Sequence, residues 1–282
     1  MKKIFLLAAA LFCLAACAPK EEQKVMARHV PERMDDFIWE NDCVCYRAYG
    51  QALEGNPTAP GFDVWVKTPG KLVANERYRL ELEENQSYHI DHGNGKDCYK
   101  VAVSLGAGAS SPVVDGQFVF PATNWRSYEI LKEEPSEVVF VLHYPAWEVA
   151  GAQVTLDKKI TVTPGTNFCK AEDVYSGDFD SLTVAAGLIR HDIEAEISGS
   201  NYVAIWEHAS DQSMEPEEGM IGLAVYMPEA EAVEANGPAE HAVLYKTVKS
   251  GEPVVYYFGS GWSRGNMPTS EQWFGTVKAM AE

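Results

Sequence analysis

Strict alternation of apolar and polar residues recurs along this chain, and it limits the choice of fold more than any other feature. Phe62, Val64 and Val66 alternate with Asp63, Trp65 and Lys67, and Val154, Leu156, Ile160 and Val162 alternate with Thr155, Asp157, Lys159, Thr161 and Thr163. A period of two fits pleated strands whose two faces meet different surroundings. Further strand-like runs cover 39–49, 77–82, 99–105, 138–144, 182–190, 202–208, 221–227, 242–248 and 254–258, with Gly, Pro and Asn between them. Many strands joined by short turns predict an all-β fold, one large antiparallel β-sandwich. One helix is expected at the end of the chain. Thr269-Ser270-Glu271-Gln272 fits a capping box, and Trp273, Phe274, Val277 and Ala281 follow on one helical face.

The N-terminus reads as an address. Lys2 and Lys3 precede an apolar run ending in Leu14-Ala15-Ala16-Cys17, which looks like a bacterial lipobox. The expected organisation is a lipoprotein signal peptide over 1–16, a polar tether over 17–36 carried on a lipidated Cys17, and a single domain over 37–282. That places the protein on the cell envelope, most simply the outer membrane, facing the periplasm or the cell surface, with membrane contact through the lipid alone. Cys43, Cys45, Cys98 and Cys169 remain, with no disulfide framework or metal-ribbon spacing; they read as buried small residues with room for one bridge.

Forty-one Asp and Glu against 23 Lys and Arg give a formal charge of −18, which speaks against a nucleic-acid partner, since phosphate binding needs a basic surface. An anionic ligand would need a local basic pocket. The stretch 207–240 holds nine acidic residues and no Lys or Arg, and reads as solvated, partly looped surface.

The densest polar cluster runs from Tyr88 to Lys100, with His89, Asp91, His92, Asp97, Tyr99 and Lys100 around two glycines. It reads as a functional loop leading into a strand, since glycine lets a backbone approach a ligand and histidine exchanges protons near neutrality. His89, Asp91, His92 and Asp97 lack the spacing of a metal site, so neither metal nor cofactor is expected. On the strand over 61–67, Asp63, Trp65 and Lys67 share a face, an aromatic between opposite charges that suits a sugar ring and its carboxylate. Tyr202, Trp206 and His208 share another. The Gly-rich loop after Tyr256 carries Trp262 and Arg264, and arginine clamps carboxylates with a planar fork. Lys158, Lys159, Arg126 and Arg190-His191 read as surface charges, His143 as structural, and His29 as an inert part of the tether. Gly106-Ala107-Gly108-Ala109 lacks a dinucleotide context, and no Gly-x-Ser-x-Gly elbow occurs.

These motifs together resemble a family of exported proteins of unknown function from polysaccharide-utilisation loci. The resemblance rests on Tyr46-Arg47-Ala48-Tyr49-Gly50, Asp63–Lys67, Tyr88–Val101, Trp206-Glu207 and Tyr256–Trp262, and spans nearly the whole mature chain. It implies a galactose-mutarotase-like supersandwich and carbohydrate chemistry, since one branch looks like dehydratases of uronate-containing ulvan fragments. Elimination from a uronate needs a base for the C5 proton, an acid for the oxygen leaving C4, and a neutralised carboxylate. The expectation is therefore a β-eliminating oligosaccharide dehydratase with an acidic oligosaccharide as its partner. His92 is first choice as base, His89 second, Tyr99 the acid, and Arg264 or Lys67 the carboxylate neutraliser. Asp63, Trp65, Lys100, Trp206, His208 and Trp262 complete the expected substrate contacts. A polysaccharide lyase or another glycan-active enzyme on the same scaffold, and a non-catalytic glycan-binding lipoprotein, are the competing readings.

Overall fold

The computed structural model describes residues 22–54, 61–209 and 219–282. In chain order the strands are β1 (Val25–Val30), β2 (Asp36–Asn41), β3 (Cys45–Ala48), β4 (Asp63–Lys67), β5 (Gly95–Asp97), β6 (Ala107–Val114), β7 (Gln117–Phe118), β8 (Ser127–Glu134), β9 (Glu137–Val149), β10 (Ala152–Val162), β11 (Phe168–Gly177), β12 (Leu182–Ile189), β13 (Ile193–Ser198), β14 (Tyr202–His208), β15 (Met220–Tyr226), β16 (Ala232–Glu234), β17 (His241–Val248) and β18 (Pro253–Trp262). Helix α1 is Ala74–Glu84 and α2 is Ser270–Ala281. The expected antiparallel sandwich is what forms. An eight-stranded sheet, β13-β14-β15-β18-β11-β10-β9-β8, makes one layer. Two five-stranded sheets, β1-β2-β3-β4-β5 and β16-β17-β12-β6-β7, make the other. The two small sheets meet where Phe62 bridges Gly106. Gly106 has φ of +59°, and a Cβ there would lie 2.2 Å from the Phe62 carbonyl oxygen, so the junction requires glycine.

Between the layers lies a continuous core in which Phe37, Trp39, Tyr46, Phe62, Phe140 and Phe258 pack ring on ring. One polar knot sits inside it. Lys158 pairs with Asp173, which also accepts from Ser110 and, at 3.1 Å, from Tyr256. Lys158 is therefore a buried structural group rather than a surface charge, and burial lowers its pKa against the opposing pull of Asp173. Lys159, on the opposite face of β10, pairs with Glu172 at 3.0 Å.

The run at 77–82, expected as a strand, is α1. Its alternation of Tyr78, Leu80 and Leu82 mimics a strand, but Glu, Arg and Leu are strong helix formers. A remote side chain starts the helix: Glu40 of β2 accepts from the Val73 and Ala74 N–H groups, both at 2.9 Å. Asn85, at φ 54°, ends it. Residues 99–105 form no strand. The expected tether also ends early, because β1 pairs along β2 with Val25 and Val30 fully buried. In the acidic stretch 207–240, β15 crosses the sheet as a buried strand, so that stretch is not all surface. Cys43, Cys45, Cys98 and Cys169 are free thiols. The signal peptide and Cys17 lie outside the described residues, and among those described no helix is long and apolar enough to cross a membrane.

Helix α2 forms as expected. Thr269 Oγ1 accepts from the Gln272 N–H at 3.3 Å, and Trp273 and Val277 bury against Phe168, Ala204, Trp206 and Ala224 on the outer face of the large sheet. Thr269→Ala should cost about 1 kcal/mol by chemical denaturation, the worth of one N-cap bond.

Candidate functional site

The strand β14 sorts its side chains by alternation. Val203 and Ile205 enter the main core, while Ala204 and Trp206 lie under α2. Glu207 continues the inward row and is 1% exposed. A carboxylate at the end of an apolar row needs a partner. That partner is His191, which follows β12: its Nδ1 lies 3.0 Å from Glu207 Oε1, and its backbone N–H donates to Oε2 at 3.3 Å. A carboxylate only accepts, so Nδ1 carries a proton. The ring of Tyr99 meets the imidazole edge to face, with centroids 5.1 Å apart. Tyr99 is buried to 1% exposure, whereas the His191 side chain keeps 12%.

Neighbouring elements complete this rim. Glu207 pairs across the sheet with Ile221, and Ile221 with Trp262, so Trp262 stands in the same row roughly two strand spacings, about 10 Å, away. Lys96 on β5 sits opposite Val66, on the core side of its sheet, and is 1% exposed. Arg264 is exposed two residues beyond Trp262. Its neighbour Gly265 packs so closely on β4 that a Cβ would come within 2.7 Å of the Lys67 carbonyl oxygen.

Several residues expected to touch substrate belong instead to a buried frame beneath α1. Asp63, Trp65 and Lys67 do share a face, but the helix covers it. Lys67 donates to Glu40 at 2.9 Å and to the Asn41 carbonyl at 2.7 Å, neutralising the carboxylate that starts α1. The Arg47 guanidinium lies 2.6 Å from Asp63 and 2.8 Å from Asp97, and 5.1 Å from the Trp65 ring centre. Burial, with the neighbouring Asp97 charge, pushes the Asp63 carboxyl up to about 7 against the pull of Arg47. Trp206 is likewise covered, by α2.

The histidine loop is built from local hydrogen bonds. Asp91 Oδ1 accepts from the Gly93 and Gly95 N–H groups at 2.8 and 2.9 Å; despite partial burial, these bonds hold its carboxyl below the usual range. His92 Nε2 lies 3.0 Å from the Ser87 carbonyl, and His89 Nδ1 lies 3.1 Å from that of Asp97. His92 lines an open recess of about 590 Å³ with Lys71, Glu76 and Asn94, whereas Tyr99 turns to His191. The expected base and acid therefore have different neighbours. Lys100 is exposed, and His208 faces away from the Glu207 row, 3.8 Å from Glu194.

His241 shows what a structural histidine looks like here. Its Nε2 accepts from the Leu105 N–H at 3.1 Å, so its proton sits on Nδ1, facing the Pro238 and Ala239 carbonyls. Burial lowers its pKa. The unfolded chain takes up a proton near pH 6.5 that the folded chain refuses, so this contribution to stability is present above about pH 6.5 and fades as the pH falls. His241→Gln should lower Tm at pH 7.5, and the deficit relative to the parent should shrink toward pH 5.

The model of DUF4861, described as a domain of unknown function, matches residues 15–282, and the chain belongs to that family. It is similar to uncharacterized protein P7 of Formosa agariphila, at 29% identity over 273 residues, covering 91% of this chain and 67% of that protein. A crystal structure of the Slr1438 protein from Synechocystis covers 87% of this chain and 99% of its own at 8% identity, with a TM-score of 0.30.

Proposed function

We propose that this protein is an oligosaccharide dehydratase that eliminates the C4 hydroxyl of a terminal uronate. The observation that supports it best is the edge-to-face pair of Tyr99 and His191, with the imidazole tautomer fixed by Glu207. His191 Nε2 takes the C5 proton. The electron pair of that C–H bond forms the C4–C5 double bond, and the C4–O bond breaks. The Tyr99 hydroxyl gives its proton to the departing oxygen, which leaves as water, and the imidazolium returns a proton to the tyrosinate through solvent. The uronate carboxylate must be neutralised before C5 is acidic enough. Arg264, exposed two residues beyond Trp262, is the cation assigned to that task, since Lys67 is committed to Glu40. His191 replaces His92 and His89 as base, and Tyr99 keeps its role as acid.

Incubation with saturated uronate-terminated oligosaccharides tests the reading. The expected product absorbs in the ultraviolet, is lighter by one water, and has the same number of sugar units. Absorbance with a shortened chain would indicate a lyase, a shortened chain without absorbance a hydrolase, and binding without turnover a glycan-binding lipoprotein; each of these overturns dehydration.

The Leu-Ala-Ala-Cys leader supports anchoring on Cys17 at the cell envelope. Cys17→Ser should move the protein from the membrane fraction to the soluble one. A variant that stays in the membrane at unchanged mass would contradict lipidation.

A further inference from the structure

His241 stands where the segments carrying Tyr99 and His191 meet. It opens β17 opposite Ile189, the last residue of β12, and His191 follows two residues later. Backbone bonds close the His191 side: the Ile189 N–H donates to the Gly106 carbonyl at 3.1 Å, and the Arg190 N–H to that of Glu240 at 3.0 Å. The Tyr99 side has no strand ladder over 99–105. Its far end is Leu105, whose carbonyl accepts from the Phe62 N–H at 3.2 Å. The Leu105 N–H is left for a side chain, and it donates to His241 Nε2. Imidazole and leucine are both buried.

The chain is strained to aim this ring. Ala239 and Glu240 both lie in the left-handed region, at φ 49° and 62°, and neither is glycine. The turn they make brings the Pro238 and Ala239 carbonyls to 3.0 and 2.8 Å from Nδ1, which holds the proton there and keeps Nε2 an acceptor. Strain of this kind persists where the surroundings over-determine the local structure, and it clusters at functional sites. Packing against Phe118, 4.8 Å away, would not require it. Protonation would set an Nε2–H against the Leu105 N–H, donor against donor. The titratable groups whose charge reaches the ring are His191, beyond the end of β12, and Glu240 of its own turn; Phe118 and Leu105 are apolar. Burial holds the imidazole below the usual histidine range, so it accepts at neutral pH.

We propose, on the reading of Tyr99 and His191 as acid and base, that His241 is a positioning residue that pins Leu105 beside the end of β12 and so sets Tyr99 against His191. The test is the nuclear Overhauser contact between the Tyr99 and His191 rings, which needs no turnover, with dehydration of a uronate-terminated oligosaccharide measured beside it. His241→Gln keeps an acceptor for Leu105 and cannot titrate, whereas His241→Leu has no acceptor. At pH 7.5 the parent and His241→Gln should keep the contact. His241→Leu should lose it, with kcat lower by about tenfold to a hundredfold and KM near the parent value. As the pH falls, the contact should fade in the parent in step with the His241 ring resonance and persist in His241→Gln. A contact kept in folded His241→Leu, kept in the parent after His241 has titrated, or lost alike in the parent and His241→Gln would overturn the proposal. If His241→Leu does not fold, the parent and His241→Gln decide between them. A parent that shows the expected ring contacts without dehydrating the sugar would remove the reaction and leave the positioning of the pair standing.

Discussion

His191→Ala is expected to lower the proposed dehydratase activity by a factor of about 10²–10⁴, the usual worth of a positioned acid or base. Stability should fall as well, by about 1–3 kcal/mol, because the buried Glu207 loses a hydrogen-bond partner, so activity is compared on protein shown to be folded. Tyr99→Phe should lose activity on the same scale while keeping its ring packed against His191. Glu207→Gln tests positioning rather than contact. An amide can present its N–H₂ to Nδ1 and favour the other tautomer, so kcat should fall and the pH profile should shift while KM stays near the parent value. Loss of folding in all three variants would instead make the cluster part of the frame. His92→Ala is the control: it should retain activity, since the loop holds that side chain against the Ser87 carbonyl.

The largest effect on stability is expected at Arg47. It is the buried cation among Asp36, Asp63 and Asp97, at 3.7, 2.6 and 2.8 Å. Arg47→Leu would leave buried carboxylates without their partner, at a cost of about 3–5 kcal/mol. Protonation relieves that cost, so the deficit in chemical denaturation should narrow as the pH is lowered from 7.5 to 5. Adding Asp63→Asn to Arg47→Leu should recover part of the loss at pH 7.5, where the single variant is worst. A loss below 1 kcal/mol would mean that Arg47 does not hold this network together.

The sandwich was legible because β4, β9, β10, β12, β14, β15, β17 and β18 each declare themselves by alternation or by a short apolar run between turns. Three parts were not. Helix α1 was hidden because its start signal, Glu40, lies 34 residues before Ala74 in the chain. Strand β1 was read as tether, since Lys24 to Glu32 is too polar to look buried until β2 covers one side. The proposed site was half visible. Tyr99 could be chosen from its motif, but its partner stands 92 positions later in an Arg190-His191 pair that resembles any surface strand end. One signal did exist. Val203, Ile205 and Glu207 form an inward row that ends in a charge, and a charge there demands a partner. The aromatic and charged residues of β4 misled for the opposite reason. Trp65 between Asp63 and Lys67 has the composition of a sugar platform, and only the covering helix shows that Arg47 and Glu40 take up those charges.

The central claim is that the C5 proton and the C4 hydroxyl leave together as water from an intact oligosaccharide. The most direct measurement is the product mass from a uronate-terminated oligosaccharide deuterated at C5. The account predicts an unsaturated product with the same number of sugar units that has lost the deuterium along with the hydroxyl. A product that keeps its deuterium, or one shortened by a sugar unit, would contradict it.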